Sequence, residues 1–286
     1  MRYAWIEEHR DQFDIARMCR QLEVSRTGYY QWRRRPTSPR TRADSLLDAH
    51  VAAIHAQRRR RYGRPRILLE LHDQGLRVGH ERVRKSLRRQ GLRPVYRRPY
   101  RITTDSDHAK PVAPNVLARR FDGWKPDQAW VGDITYIDTD QGWLYLACVM
   151  DLASRRIVGW SMSERMKADL ELPALQAACW QRKPTPGLIM HTDRGSQYAS
   201  DRHRQLLKDW HMTQSMSRVG NCWDNAPMES FFKTLKVERV YQTRYATRDQ
   251  ARMDIVDWIE GFYNRQRRHS AINYQTPVAA EARMAA

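Results

Sequence analysis

The sequence predicts an α/β domain built on a mixed sheet with flanking helices, preceded by all-α segments that carry most of the charge. Three observations lead there. Apolar residues recur at helical spacing up to about residue 92, and from about residue 129 the pattern becomes that of β-rich runs separated by tight turns. After three such runs, helical and strand patterns alternate, as expected of a sheet covered by helices. The net charge of +19 is also uneven: residues 1–125 hold 30 Lys and Arg against 13 Asp and Glu, whereas residues 126–286 hold 21 against 19.

A front half this basic implies a polyanionic partner, since each phosphate neutralised releases condensed counterions. Membrane lipid is the competing polyanion, yet no apolar run approaches the ~18 residues of a span; the longest, residues 143–150, stops at Asp151. The N-terminal MRYAWIEEHR has acids where a secretion signal would have an apolar core. Cys19, Cys148, Cys179 and Cys222 are widely separated and form no CxxC pair, so they read as reduced thiols of a cytoplasmic protein.

Residues 1–35 read as a helix-turn-helix-like segment. Ile15, Cys19 and Leu22 share a face, Glu23 and Val24 turn the chain, and Ser25 caps a helix through Trp32. Arg26, Arg33, Arg34 and Arg35 at and beyond that second helix suit DNA contact, or the solvated face of a plain helical hairpin. Residues 36–42, with Pro, Ser and Thr, read as a linker.

Residues 44–92 form a second such segment. Leu46, Leu47, Val51 and Ile54 give one helix, and Ile67, Leu68 and Leu71 a second ending near Gly75. A third, residues 80–90, turns Val83 and Leu87 inward and presents Arg82, Arg84, Lys85, Arg88 and Arg89. A face this basic fits a nucleic-acid backbone better than bare solvent. Residues 93–128, rich in Pro and Arg, read as an extended connector.

Residues 129–138, 142–151 and 155–163 predict a three-stranded meander. A helix around residues 172–181, a strand at 188–192, a helix around 200–210 and a short strand at 212–216 follow, placing a core over residues 129–245. A last helix, residues 248–268, has Met253, Val256, Ile259 and Tyr263 inward, ends in Arg265, Arg267, Arg268 and His269, and lies in a C-terminal helical extension, residues 246–286.

Three acids stand out in this pattern. Asp133 sits within WVGDITYI, Asp193 closes the apolar run GLIMHTDRG, and Glu229 lies in NCWDNAPMESFFKTLK. Proline is favoured at the first helical position, so a helix begins at about Pro227. Met228, Phe231 and Leu235 then share one side, and Glu229, Lys233 and Lys236 the other. That charged face is either an ordinary solvated one, or a carboxylate for a metal ion with two ammonium groups for a phosphate backbone. His191 falls on the same side of its strand as Asp193 and is either a base or a structural hydrogen-bonder. Asp224 reads as the cap of the Glu229 helix and Asp151 as the close of a strand.

Asp133, Asp193 and, after 35 intervening residues, Glu229, with a lysine seven residues after the glutamate, resemble the catalytic core of DDE transposases and retroviral-type integrases. The surrounding words HTDRGSQY, NCWDNAPMESFFKTLK and YNRQRRHSAINYQTP resemble the second-reading-frame product (OrfB) of bacterial insertion sequences of the IS-three family, over essentially the whole chain. The resemblance implies a ribonuclease-H-like core, with the first acid mid-strand one, the second at the end of strand four and the glutamate on a late helix. It also implies that residues 44–92 are the helix-turn-helix domain preceding that core.

Three converging carboxylates imply bound Mg²⁺, which Mn²⁺ can replace, with two ions serving an in-line phosphoryl displacement. Water would first expose a 3′-OH at the element's end, and that 3′-OH would then attack target DNA. The expected partners are double-stranded DNA at the element ends and target, further copies of the chain as a homo-oligomer on DNA, and the upstream-frame product as fusion or partner. The expected location is the bacterial cytoplasm, at the nucleoid. A nuclease of the same fold that cuts without joining, and a DNA-binding regulator without activity, remain the alternatives.

Overall fold

The computed structural model describes residues 1–36, 38–95, 111–166 and 170–285. Two compact units result, Met1–Pro94 and Val95–Ala286. Residues 96–110, part of the expected connector over residues 93–128, lie outside the described residues.

The first unit is helical. Helices α1 (Arg2–Glu8), α2 (Ile15–Gln21) and α3 (Arg26–Arg34) enclose Ile6, Met18, Cys19 and Tyr29. Asp14 caps α2 by accepting from the Arg17 amide, and Ser25 caps α3 by accepting from that of Gly28. Helix α4 (Pro39–Gln57) corrects the expected linker over residues 36–42. The Ser38 hydroxyl accepts from the Thr41 amide at 3.0 Å with proline in the first turn, so these residues start a helix. Leu46, expected inside, is 60% exposed, while Leu47, Val51 and Ile54 are buried. Helices α5 (Arg64–Asp73) and α6 (His80–Arg89) complete the group through Ile67, Leu68, Leu71 and Val83.

The second unit is built on one five-stranded mixed sheet. Strands β1 (Ala129–Ile137), β2 (Leu144–Asp151) and β3 (Ile157–Ser163) form the antiparallel meander. Strands β4 (Ile189–Thr192) and β5 (Thr213–Met216) add to it in parallel, giving the order β3-β2-β1-β4-β5. The parallel crossovers are α7 (Glu171–Arg182) and α8 (Asp201–Asp209). They cover a face made of Trp130, Ala147, Val149, Val158 and Met190. Gly159 is where α7 comes closest: a Cβ there would lie 2.1 Å from the Ala174 carbonyl oxygen.

Helices α9 (Ala226–Glu238), α10 (Arg248–Val256) and α11 (Pro277–Ala285) follow. The expected continuous helix over residues 248–268 is α-helical only to Val256 and then π-helical over Asp257–Tyr263. The inward face keeps ordinary helical spacing but starts at Ala251 and not at Met253. Ala251, Ile255, Trp258, Ile259, Phe262 and Tyr263 are buried, and Met253 is 75% exposed. Arg267, expected in a basic terminus, is instead buried against Glu238, its Nη2 and Nε donating at 2.8 and 3.1 Å.

Candidate active site

Strand β1 lies at the centre of the sheet, between β2 and β4. Asp133, midway along it, pairs across the strand with Cys148. Its Oδ1 accepts from the Ile134 amide at 2.7 Å. Burial holds the Asp133 carboxyl well above the usual carboxylate range; Asp193 and Glu229 push it further up, while that amide and Lys236 oppose the shift.

Asp193 follows the last residue of β4, and its Oδ1 accepts from the Gly195 amide at 2.9 Å. A Cβ at Gly195 would come within 3.0 Å of that same oxygen, so glycine lets the turn close on the carboxylate.

Glu229 is half-buried in the first turn of α9, and burial raises its pKa too. Helix α9 is fixed by Met228, Phe231, Phe232 and Leu235, all buried. Just before it, the Asn225 side-chain Nδ2 donates to the carbonyl of Gly132 at 3.3 Å, tying the helix start to the residue preceding Asp133. Lys236 is half-buried, with Nζ 4.5 Å from the centre of the Tyr136 ring. Lys233 is exposed. Among the described residues, no three His, Cys, Asp or Glu side chains are gathered into a metal-ligand cage. The acids sense one another's charge without closing up. As a donor set they still fit a hard divalent cation: all offer carboxylate oxygen, and a positive ion would offset the charge that burial and neighbouring acids make costly.

Two other expectations resolve. His191 is fully buried, its Nδ1 2.8 Å from the Ser215 hydroxyl and its Nε2 3.2 Å from that of Ser217. Burial lowers its pKa to about 4 against the opposing pull of Asp224. Both ring nitrogens are engaged by serines, so His191 is the structural hydrogen-bonder.

Asp224 does not cap α9. Its buried carboxylate accepts from the Arg218 amide, Nε and Nη2, from Arg119 Nε and from Asn115 Nδ2, at 2.6–3.0 Å. These arginines hold its pKa far below the ordinary value. Five donors outcompete the amides of the helix start. Asn115 and Arg119 lie more than a hundred residues from Asp224, so no local pattern announced them. Asp151 does close β2, its Oδ1 accepting from the Ser154 amide and hydroxyl, both at 2.8 Å.

In the first unit the candidate DNA contacts divide. Arg82 and Arg89 reach from α6 to Asp44 and Asp48 of α4, and Arg84 pairs with Glu81, each at 2.7 Å. Lys85 and Arg88 are exposed and, among the described residues, in no ion pair. Arg33 lies 3.4 Å from Glu7, and Arg26 stacks over Tyr30.

Comparison with known proteins fits this organisation. Residues 124–222 and 211–277 each match an "Integrase core domain" family, and residues 41–100 match an "HTH-like domain" family. The chain is 45% identical over 272 residues to the transposase InsF for insertion sequence IS3A of Escherichia coli (strain K12), covering 94% of both proteins. The chain belongs to the IS3 family of transposases.

An insertion element IS600 uncharacterized 31 kDa protein of Shigella sonnei is 43% identical over 262 residues, covering 92% of this chain and 96% of that protein. Among solved structures, a simian T-cell lymphotropic virus intasome in complex with PP2A regulatory subunit B56 gamma is similar at 16% identity and TM-score 0.46, over 81% of this chain and 74% of that one. The HTLV-2 integrase catalytic core domain in complex with magnesium is similar at 19% identity and TM-score 0.42, over 56% and 99%. By its family matches, the transposase carries an HTH-like domain followed in sequence by an integrase core domain. Among the described residues no helix is long and apolar enough to cross a membrane.

Proposed function

We propose that Asp133, Asp193 and Glu229 are the metal ligands of this transposase, with two Mg²⁺ ions per site that Mn²⁺ can replace. The observation that carries the reading is the state of Asp133: half-buried mid-strand, its charge is opposed by Asp193 and Glu229 and favoured by Lys236. An acid in that setting is matched to a cation. When bound, the ions supply Lewis-acid charge for in-line phosphoryl displacement.

The chain's own groups orient the DNA. Lys236 is placed to hold a phosphate beside Asp133, and Lys233 to meet the backbone further out. Water oxygen bonds to phosphorus at the element's end, the P–O3′ bond breaks, and O3′ leaves as a hydroxyl after taking a proton. That 3′-OH then loses its proton and bonds to a target phosphorus, releasing a target 3′-OH. No nucleophilic side chain enters.

We assign catalysis to residues 129–245, DNA holding to residues 1–35 and 44–92, and a helical extension to residues 246–286, with residues 93–128 as connector. The partners are double-stranded DNA at the element ends and target, further copies of the chain as a homo-oligomer on DNA, and the upstream-frame product as fusion or partner, in the bacterial cytoplasm at the nucleoid. The test is incubation of the full chain with cleaved-end DNA. Joined products should form with Mg²⁺ and vanish with a chelator; joining that survives chelation would remove the metal reading.

A further inference from the structure

The platform around Asp224 leaves one residue unaccounted for. Trp223 is 69% exposed, although it adjoins a fully buried aspartate. The short helical turn that carries it, Cys222–Asn225, leads directly into α9. Asp224 pins that turn through Arg218, Arg119 and Asn115, and Arg119 Nη2 also donates to Asn221 Oδ1 at 2.7 Å. A large apolar side chain is thus held out into solvent by a rigid support, so little backbone entropy is lost when it meets a partner.

Its direction can be followed along the helix. Three residues of 3₁₀ geometry, Trp223 to Ala226, make about one full turn. Three more of α-helix, to Glu229, make about 300°. Trp223 therefore lies within roughly 60° of Glu229 around the same rod, ahead of it by a little under two turns. Along that side run the exposed indole, the half-buried carboxylate of Glu229, exposed Lys233 and half-buried Lys236. Lysines match phosphates, and an indole at the head of such a row matches the flat face of a base.

We propose that Trp223 is a DNA-contact residue that stacks on one base beside the cleaved bond and so fixes the position of the strand end. The assignment rests on Glu229 marking the active site. Stacking needs a π-face and not a particular base, so it sets position more than sequence.

The experiment uses the full chain and cleaved-end DNA with 2-aminopurine placed in turn at each position flanking the end, in chelator, so that nothing turns over. Wild type should quench the fluorescence at one position, Trp223→Phe should keep most of that quenching, and Trp223→Ala should lose it. With Mg²⁺ and limiting DNA, Trp223→Ala should join about tenfold more slowly, the effect of losing one base–aromatic stack. An abasic site at the quenched position should slow wild type by a similar factor and Trp223→Ala hardly further. The proposal falls if no position is quenched, if the two losses multiply, or if Trp223→Ala changes only the sedimentation of the protein, which would make the indole a contact between proteins. Because the quenching is read without turnover, it stands or falls separately from the assignment of the three carboxylates.

Discussion

The Lys236 ammonium rests 4.5 Å from the centre of the Tyr136 ring, three residues beyond Asp133 on β1. An aromatic face attracts a cation and limits where it can go. Burial lowers the lysine's pKa and Asp133 opposes the shift, so the ammonium lies within reach of that acid's charge. Lys236→Ala should slow end joining at limiting DNA by roughly an order of magnitude, the scale of a lost positioning contact. Lys233→Ala, removing an exposed group, should do less. Wild-type joining by Lys236→Ala would make the lysine irrelevant to the site.

His191 ties stability to acidity. In the unfolded chain the imidazole takes up its proton near pH ~6.5, whereas in the fold burial holds it to about 4. The folded pKa is depressed, so the contribution is fully present above the unfolded value and is lost as pH falls through about 4. The thermal stability of wild type should therefore fall as pH drops over this window, and the slope should flatten in His191→Asn. Between pH 6.5 and 9 the shape of the joining profile should be the same for both proteins. A shifted limb would restore His191 as a base.

Asp224 should behave as a structural anchor. Its folded pKa is depressed by Arg218 and Arg119, so its stabilisation is present above the ordinary aspartate range and lost as pH falls below it. Asp224→Ala leaves two arginines without their acceptor. Removing one partner of a fully buried pair costs about 3–5 kcal/mol, and because both arginines are half exposed we expect about 2. An unchanged unfolding midpoint would contradict the anchor role.

Helix α6 offers a test of which cations meet DNA. Lys85 and Arg88 are in no ion pair among the described residues, whereas Arg82 and Arg89 hold α6 to α4. Lys85→Ala and Arg88→Ala should each reduce the salt slope of DNA binding by about one and leave the unfolding midpoint in place. Arg89→Ala should lower the midpoint instead. Salt slopes that respond only to Arg82 and Arg89 would reverse this division.

Much of the fold was legible because its signals are local. The meander, the alternation after it, the Ser25 cap and the buried side of α9 all follow from spacing and from capping chemistry. Asp133, Asp193 and Glu229 stood out for the same reason, each being an acid in a short, distinctive setting. The failures have other causes. The helix start at Ser38-Pro39 was hidden by composition that also suits a linker. The inward face of the helix from Arg248 starts at Ala251 and not at Met253, so Met253 is exposed while Trp258 and Phe262 are buried. Asp224, Arg267, Asn225 and Lys236 find their partners on remote segments, and no pattern within a few residues could have announced Asn115, Glu238, Gly132 or Tyr136.

The central claim is that three carboxylates on β1, after β4 and on α9 form one metal-dependent site. The most direct measurement is strand joining from cleaved-end DNA in Mg²⁺ by Asp133→Asn, Asp193→Asn and Glu229→Gln, with DNA binding measured in parallel. Each change removes a negative ligand at nearly constant shape. Joining should be abolished in all three while binding stays at the wild-type level; robust joining by any one of them would remove that residue from the site and contradict the account.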